Sequence, residues 1–227
     1  MGKGCIALAG KPCSDPAMSR RDCLLLFTRY PEAGRTKTRL IPLLGAEGAA
    51  QLQRTLTEKV LRKAKALNTQ HGIEICIVYG GGSRKKMAAW LGPGTYLPQT
   101  PGDLGRRMQN AFSRTFAAGA DNAVLIGSDI PEITTPLLAE AFAALASREV
   151  VIGPSRDGGY YLIGMRASAA EKLYPLIFAE MVWSTAEVFA TTCTRLLQAA
   201  CIPALLPVLH DIDTPEDLDL QIDSSGV

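Results

Sequence analysis

The sequence predicts a single α/β domain built around a mainly parallel β-sheet. Short apolar runs, typical of strands buried on both faces, alternate with amphipathic helical segments between residues 23 and 200. Strands separated by helices imply βαβ units and parallel pairing. A length of 227 residues fits one large domain, and a content of 47% hydrophobic and 20% charged residues is typical of a globular chain.

Each element follows from a local pattern. The run 23–27, bounded by charge before it and by Pro31 and Gly34 after it, predicts the first strand. Apolar residues at helical spacing predict a long helix over 46–67. A capping box at 184–187 predicts the start of the last helix. The other predicted strands are residues 73–79, 123–126, 150–152 and 160–165, and the other predicted helices are residues 85–91, 104–118, 137–145 and 186–200.

Composition excludes several classes of protein. A net charge of +2 is too small for a nucleic-acid groove or a membrane surface, and no apolar run approaches the roughly 20 residues of a membrane span. The six cysteines show no C-x-x-C spacing, so we expect reduced thiols in a cytoplasmic protein. Residues 1–21 are expected to form a loosely ordered leader before the domain of residues 22–227. The oligomeric state stays open, a homodimer included.

Ligands of parallel α/β sheets bind beyond the carboxyl ends of the strands. The loop after the first strand carries four cations, Arg29, Arg35, Lys37 and Arg39, together with Gly34. Flexible cations and a glycine loop suit an anionic phosphate chain. The spacing matches neither a Walker motif nor G-x-G-x-x-G. The alternative is a solvated basic loop.

Acidic residues follow two later apolar segments. Asp129 comes directly after a predicted strand and before Pro131, so it points into the cleft, where it could hold Mg²⁺ or Mn²⁺. The alternative is an aspartate that caps a turn. Asp211 and Asp213 precede a capping box at 214–217 and repel each other unless a cation or a proton intervenes. This favours a metal site at these two residues.

A third loop, residues 153–160, combines two glycines with hydrogen-bonding side chains. Gly158 and Gly159 allow a close approach of the backbone to a ligand, while Asp157 and Tyr160 supply polar groups. Asp157-Gly158 is also typical of a hairpin turn, which is the stronger interpretation if the loop is considered alone. The loop is a candidate substrate site.

These loops together resemble those of the GT-A-like nucleotide-diphospho-sugar transferase superfamily, and in particular a bacterial branch of small glycosyltransferase-like proteins. The matching segments are residues 27–40, 102–108, 127–131, 153–164 and 183–185. The segment Lys37-Thr-Arg-Leu40 is similar to that of the 2-phospho-lactate guanylyltransferases, and residues 211–218 are similar to the endings of molybdopterin nucleotidyltransferases and CMP-sugar synthetases. One departure is Arg29, where the branch usually has lysine; arginine holds phosphate as a planar fork rather than as a point charge.

The resemblance implies a Rossmann-like three-layer α/β/α sandwich and a set of residue roles. It implies Mg²⁺ or Mn²⁺ on Asp129 and Asp213, and catalytic roles for Lys37, Asp129 and Asp157. Nucleotide contacts are implied for Arg29, Gly34, Lys37, Arg39, Gln99, Gly102, Asp103, Leu104 and Gly105. Contacts with the acceptor or the sugar are implied for Asp157, Gly158, Gly159, Tyr160 and Trp183.

The expected function is a metal-dependent transferase with a nucleotide or nucleotide-sugar donor and a small-molecule acceptor. Nucleotidyl transfer needs positioning and electrostatics more than a protein base. Inverting glycosyl transfer needs a base near the anomeric carbon, and Asp157 is the candidate. A nucleotide-binding protein without turnover is the third reading. Fold likeness does not decide among these reactions.

Overall fold

The central sheet has seven strands in the order β3-β2-β1-β4-β6-β5-β7. A computed structural model describes residues 20–218, and the predicted leader lies outside these residues except for Arg20 and Arg21. Four of the six strand pairings are parallel, whereas β6 runs antiparallel to both β4 and β5. The strands are β1 (Asp22–Arg29), β2 (Glu74–Gly80), β3 (Thr95–Pro98), β4 (Asn122–Gly127), β5 (Val150–Pro154), β6 (Tyr160–Arg166) and β7 (Ala204–Leu205).

Helices cover both faces of this sheet. They are α1 (Ile41–His71), α2 (Arg84–Leu91), α3 (Leu104–Ala117), α4 (Thr135–Ala144), α5 (Ala170–Ile177) and α6 (Val188–Gln198). Short 3₁₀ turns, Thr38–Leu40 and Ala167–Ala169, precede α1 and α5. None of the helices in residues 20–218 combines the length and the apolar character that a membrane crossing requires.

The alternation of side chains along β1 creates two separate cores. Leu24 and Leu26 pack with residues of α1, α2 and α4 on one face of the sheet. Leu25 and Phe27 pack with residues of α3, α5 and α6 on the other face. Because successive strand side chains point to opposite faces, one apolar strand can serve both cores. The predicted α/β fold with its mainly parallel sheet is confirmed, and it has three layers.

The structure differs from the predicted elements in several places. β3, α5 and β7 were not predicted, and α1 begins at Ile41 rather than at 46 and bends at Gly45, whose φ is 70°. The capping box predicted at 184–187 is wrong, because α6 begins at Val188 and its N-cap residue Glu187 makes no side-chain cap bond. Ser184 has a φ of 62°, and the Thr185 hydroxyl donates to the Val182 carbonyl. The segment is therefore an irregular turn rather than the start of a helix.

Candidate functional site

The order of the strands places one crevice between β1 and β4. β2 and β3 follow β1 on one side of the sheet, and β4 then pairs with β1 on the other side. Loops that leave adjacent strands in opposite directions open a crevice at their carboxyl ends, where open α/β sheets bind ligands. The loop after β1 carries Lys37 and the loop after β4 carries Asp129. Both predicted residues therefore border this crevice.

The segment after β7 brings two more carboxylates to the same place. Leu209 N donates to Pro154 O at 3.2 Å and Ile212 N donates to Asp129 O at 3.1 Å, so the segment follows the ends of β5 and β4. Ile212 is 1% exposed and packs with buried residues of the cluster that contains Leu40. Its neighbours Asp211 and Asp213 line the cleft. The buried isoleucine thus anchors a pair of acidic side chains at the crevice.

Lys37 is the centre of this arrangement. Its ammonium group lies 3.1 Å from Asp129 Oδ2 and 3.8 Å from Asp213 Oδ1, and it also donates to Ile212 O. The Lys37 side chain is only 3% exposed, and its backbone has a left-handed φ of 46°. Arg39 Nη1 lies 2.8 Å from Asp213 Oδ2, but its side chain is 65% exposed. Lys37 is therefore a buried cation between two carboxylates, and Arg39 is their contact at the surface.

A buried polar network holds the other side of Asp129. The Ser128 hydroxyl is 2.9 Å from Asp129 Oδ1. Gln53 of α1 is 4% exposed, and its Nε2 is 3.0 Å from Ser128 Oγ, 3.1 Å from Thr57 Oγ1 and 3.2 Å from Thr28 Oγ1. The Gln53 Nε2 atom can only donate hydrogen bonds, so the Ser128 hydroxyl accepts from it. The same hydroxyl then donates its own hydrogen bond to the Asp129 carboxylate. This chain fixes the orientation of Asp129 from the helix behind it.

The crevice opens into a cleft of about 700 Å³. Ten of the predicted site residues line it, namely Arg29, Lys37, Gln99, Leu104, Asp129, Asp157, Gly159, Tyr160, Trp183 and Asp213. The prediction missed Thr28, Gln53, Arg107 and Ser128, which also line it. Gln53 and Thr57 could have been found from the sequence, because both are uncharged polar residues within the apolar stripe of α1.

The other predicted residues lie outside the lining, and most of them have a structural role. Asp103 caps α3 by accepting from Arg106 N at 2.8 Å. A Cβ on Gly105 would lie 2.6 Å from Trp183 Cζ2, and a Cβ on Gly158 would lie 2.1 Å from Ala186 O. Gly34 has a φ of 77° and open space around it. Gly102, with a φ of 124°, and Arg39 lie outside the lining as well.

The proposed substrate side of the cleft is formed by the β5–β6 turn and by the segment before α6. Asp157 Oδ1 accepts from Gly159 N at 2.9 Å and from the Ser155 hydroxyl, so this carboxylate shapes the turn. The rings of Tyr160 and Trp183 meet edge to face, with centroids 6.3 Å apart. Tyr160 Oη and Trp183 Nε1 are buried and find no hydrogen-bond partner in residues 20–218.

Carboxylates outnumber cations in the lining of this cleft. The acidic cluster consists of Asp129, Asp157, Asp211 and Asp213. Burial raises the pKa of Asp211, and the charges of the other three members raise it further. No three Asp, Glu, His or Cys side chains of the described chain are arranged to hold a metal ion by themselves. Mg²⁺ in nucleotide sites is usually held by one or two carboxylates plus phosphate oxygens, so the donor set fits such an ion.

The fold defines the class of protein. The mainly parallel sheet, covered by helices on both faces, matches the fold of nucleotide-diphospho-sugar transferases. The structure of a "putative nucleotide-diphospho-sugar transferase" from Desulfovibrio desulfuricans G20 is 33% identical to the chain over 91% of the chain and 88% of that protein, with a TM-score of 0.82. The chain belongs to the bacterial family described as "uncharacterized protein conserved in bacteria (DUF2064)", whose model matches residues 61–185.

More distant structures share the fold. A CMP:2-keto-3-deoxy-manno-octonic acid synthetase solved with CTP is 13% identical over 91% of the chain and all of that protein, with a TM-score of 0.54. Rv0371c of Mycobacterium tuberculosis H37Rv, solved with manganese, is 16% identical over 89% of the chain and 99% of that protein, with a TM-score of 0.55. No curated protein matches the chain significantly.

Proposed function

We propose that this protein is a metal-dependent transferase that takes a nucleoside triphosphate or a nucleotide sugar as donor and transfers part of it to a small-molecule acceptor. The observation that carries the proposal is the convergence of Lys37, Asp129 and Asp213 at the crevice between β1 and β4. An ammonium group suits phosphate oxygens, and the two carboxylates suit a divalent cation.

Asp129 and Asp213 are the residues that would hold Mg²⁺ or Mn²⁺. When bound, such an ion supplies charge neutralisation on the phosphate oxygens. The raised pKa of Asp211 supports this assignment, because it reflects burial and crowding of negative charge that a cation would relieve. The manganese bound by the distantly similar Rv0371c protein is in keeping with it.

The nucleotide would lie along the wall formed by the ends of β1, β2 and β3. Arg29 and Arg107 line this wall and would contact the phosphates or the ribose. Gln99 Nε2 points at two carbonyl oxygens, Thr28 O at 3.4 Å and Val78 O at 3.3 Å. Its Oε1 is therefore left to accept a hydrogen bond from a base. Leu104, which is 42% exposed, offers an apolar contact beside it.

Nucleotidyl transfer is the reaction that we propose first. The acceptor's phosphate or hydroxyl oxygen would attack the α-phosphorus, and the bond to pyrophosphate would break. Lys37 and Arg29 would stabilise the charge that develops on the phosphoryl oxygens, and the cleft would hold the two substrates in line. This reaction does not require a strong base from the protein.

Glycosyl transfer is the second candidate, supported by the description of the 33% identical Desulfovibrio protein. It would need Asp157 as a base, yet Asp157 Oδ1 already accepts from Gly159 N and from Ser155. We therefore rank it below nucleotidyl transfer. A binder without turnover could hold phosphate with cations alone, and the four acids in the cleft argue against it.

Four free thiols in the described residues support a cytoplasmic location.

A thermal-shift panel tests the proposal. Nucleoside triphosphates and sugar nucleotides are each compared with and without Mg²⁺ or Mn²⁺, because a ligand that binds only the folded state raises the melting temperature. Stabilisation by a triphosphate, followed by metal-dependent release of pyrophosphate with an acceptor, supports nucleotidyl transfer. Stabilisation by sugar nucleotides alone supports glycosyl transfer. The proposal is refuted if no nucleotide in the panel shifts the melting temperature.

Asp129→Asn is the matching variant. The amide keeps the shape of the side chain but removes the charge, so metal-dependent nucleotide binding should be lost while the circular dichroism spectrum stays that of the folded protein. Asp121→Asn, which changes an exposed carboxylate bonded to Arg21 N at the opposite end of β4, is the control. Unchanged affinity of the Asp129 variant in calorimetry with Mg²⁺ would contradict the metal role.

A further inference from the structure

We infer that Lys37 acts as an internal counterion that occupies the metal-binding carboxylates until a phosphate chain withdraws it, so that metal binding depends on prior or simultaneous nucleotide binding. The inference rests on the proposed metal site and concerns its regulation. It follows from the juxtaposition of a buried ammonium with both carboxylates of the metal pair, which we define as Asp129 and Asp213.

The surroundings of Lys37 resemble a small cation site made of oxygen atoms. An ammonium group has three N–H donors and no acceptor. Two of its neighbours accept hydrogen bonds, Asp129 Oδ2 at 3.1 Å and the carbonyl of Ile212, and Asp213 Oδ1 lies 3.8 Å away as an ion pair. The Lys37 side chain is 3% exposed, whereas the side chains of Asp129 and Asp213 are 37% and 43% exposed and face the cleft. The ammonium group therefore lies between the two carboxylates and interacts with both of them.

A divalent ion shared by the two carboxylates would lie close to the Lys37 ammonium group. Asp129 Oδ1 accepts from the Ser128 hydroxyl, whereas Oδ2 lies 3.1 Å from Lys37 Nζ. Asp213 Oδ2 lies 2.8 Å from Arg39 Nη1, whereas Oδ1 lies 3.8 Å from Lys37 Nζ. Two cations on one pair of oxygens repel each other. Lys37 and the metal thus compete for the metal pair.

The backbone at Lys37 makes this placement specific. Its φ of 46° lies in the left-handed region, which is unfavourable for a residue with a side chain. The 3₁₀ turn Thr38–Leu40 follows directly, and Leu40 is fully buried against α1 and Ile212. The loop is therefore held directly after Lys37, and the four-carbon side chain is the part that can change its partners. A phosphate chain entering the cleft offers that side chain new anionic partners without any change in the loop.

Mn²⁺ binding to the ion-free protein, measured by calorimetry without nucleotide, tests the inference. Lys37→Met removes the competing charge and keeps a chain of similar length. We expect this variant to bind Mn²⁺ about tenfold or more tightly than the wild-type protein, because a unit positive charge a few ångströms from a divalent ion weakens its binding by at least that order even in water-like surroundings. Mn²⁺ should also raise the melting temperature of the variant more than that of the wild type.

Controls separate competition at this site from a general loss of positive charge. Arg39→Met also removes a cation that contacts Asp213, but from a side chain that is 65% exposed, so its effect should be small. Lys37→Arg keeps the charge and should leave Mn²⁺ binding weak. The double variant Lys37→Met with Asp129→Asn should lose the gain, because the gained affinity requires the freed Oδ2. Should Lys37→Met fail to fold, Lys37→Gln serves as the neutral variant.

Equal Mn²⁺ affinity in the wild-type protein and in the Lys37→Met or Lys37→Gln variant overturns the inference, and so does an equal gain in Arg39→Met. The same variants are expected to bind nucleoside triphosphates more weakly than the wild type, although they bind the bare metal more tightly. The two failures are distinguishable. A wild-type protein that nucleotides do not stabilise refutes the proposed function, whereas a nucleotide-binding wild type with unchanged Mn²⁺ affinity in the Lys37 variants refutes only the competition.

Discussion

Gln53 offers a test of how the protein orients Asp129, because it is connected to that carboxylate through Ser128. Gln53→Leu keeps the volume of the side chain and removes both N–H donors. Three hydroxyls surround Nε2 within 3.2 Å, but the amide has only two protons, so at most two good hydrogen bonds are lost. Thr28 and Thr57 still pair with each other at 2.9 Å.

The expected loss of stability follows from these contacts. Two buried hydrogen bonds contribute about 0.5–1.5 kcal/mol each, so the free energy of unfolding should fall by about 2 kcal/mol. For a domain of this size that loss lowers the melting temperature by about 4–8 °C. Ser128 also loses the donor that directs its own proton toward Asp129, and the loss of such an outer contact weakens metal binding by about tenfold or more.

Thermal unfolding and Mn²⁺ calorimetry in the presence of nucleotide measure the two effects. Gln51→Leu is the matched control, since Gln51 lies on the same helix and is exposed. Equal melting temperatures for the two variants would refute the energetic importance of the network. A destabilised Gln53 variant with wild-type metal-dependent binding would refute the orientation of Asp129 through Ser128.

Three further predictions concern the surroundings of the cleft. Gly105→Ala should push the indole of Trp183 away, because the new Cβ would lie 2.6 Å from Cζ2. We expect a changed tryptophan fluorescence spectrum when the substitution is made in a Trp90→Phe background, and an unchanged spectrum would contradict the contact. Burial alone raises the pKa of Asp217, but hydrogen bonds from Asp213 N, Thr214 N and the Thr214 hydroxyl outweigh it and hold the pKa below its ordinary 3.8. The stability that Asp217 contributes is therefore present above pH 3.8 and is lost as the pH falls through its lowered pKa. Asp217→Ala should lower the free energy of unfolding by about 1 kcal/mol at neutral pH, measured by denaturant unfolding, and should approach the wild-type value in acid. A difference that does not change with pH would contradict this. Burial raises the pKa of Cys23 to about 12 and that of Cys76 to about 11, so iodoacetamide at about pH 8 should leave both thiols unmodified in the folded protein, and early labelling of either would disprove their protection.

The sequence predicts the strands β1, β2, β4, β5 and β6 because each of them has a strong local pattern. β1 and β4 each contain an unbroken apolar run, and α1 has a regular apolar stripe. β3 escapes prediction because it has only four residues and ends in Pro98, and α5 escapes because Pro175 lies inside it. Local patterns cannot reveal either element, since both depend on packing against neighbours that come from elsewhere in the chain.

Only part of the candidate site can be predicted from the sequence. The position of Asp129 follows from the rule that loops after parallel strands share one edge of the sheet, whereas the role of Asp213 was implied by the resemblance. The partners of these carboxylates do not follow from it, because the contacts of Lys37 and Gln53 depend on side-chain directions in three dimensions. The glycines at 105 and 158 illustrate a related ambiguity. A motif glycine can contact a ligand or make room for a neighbouring side chain or backbone, and here Trp183 and Ala186 take that room.

The contact of Lys37 with Ile212 joins residues 175 positions apart, so it can form only after a long stretch of the chain has been synthesised. Ribosomes extend a chain at about 5–20 residues per second, so on the order of ten seconds or more separates the synthesis of these two residues. During that interval the loop after β1 exists without the carboxylate and the carbonyl that later surround its lysine. The proposed metal pair can therefore form only after translation has passed Asp213, and a chain interrupted earlier would lack one of its two carboxylates.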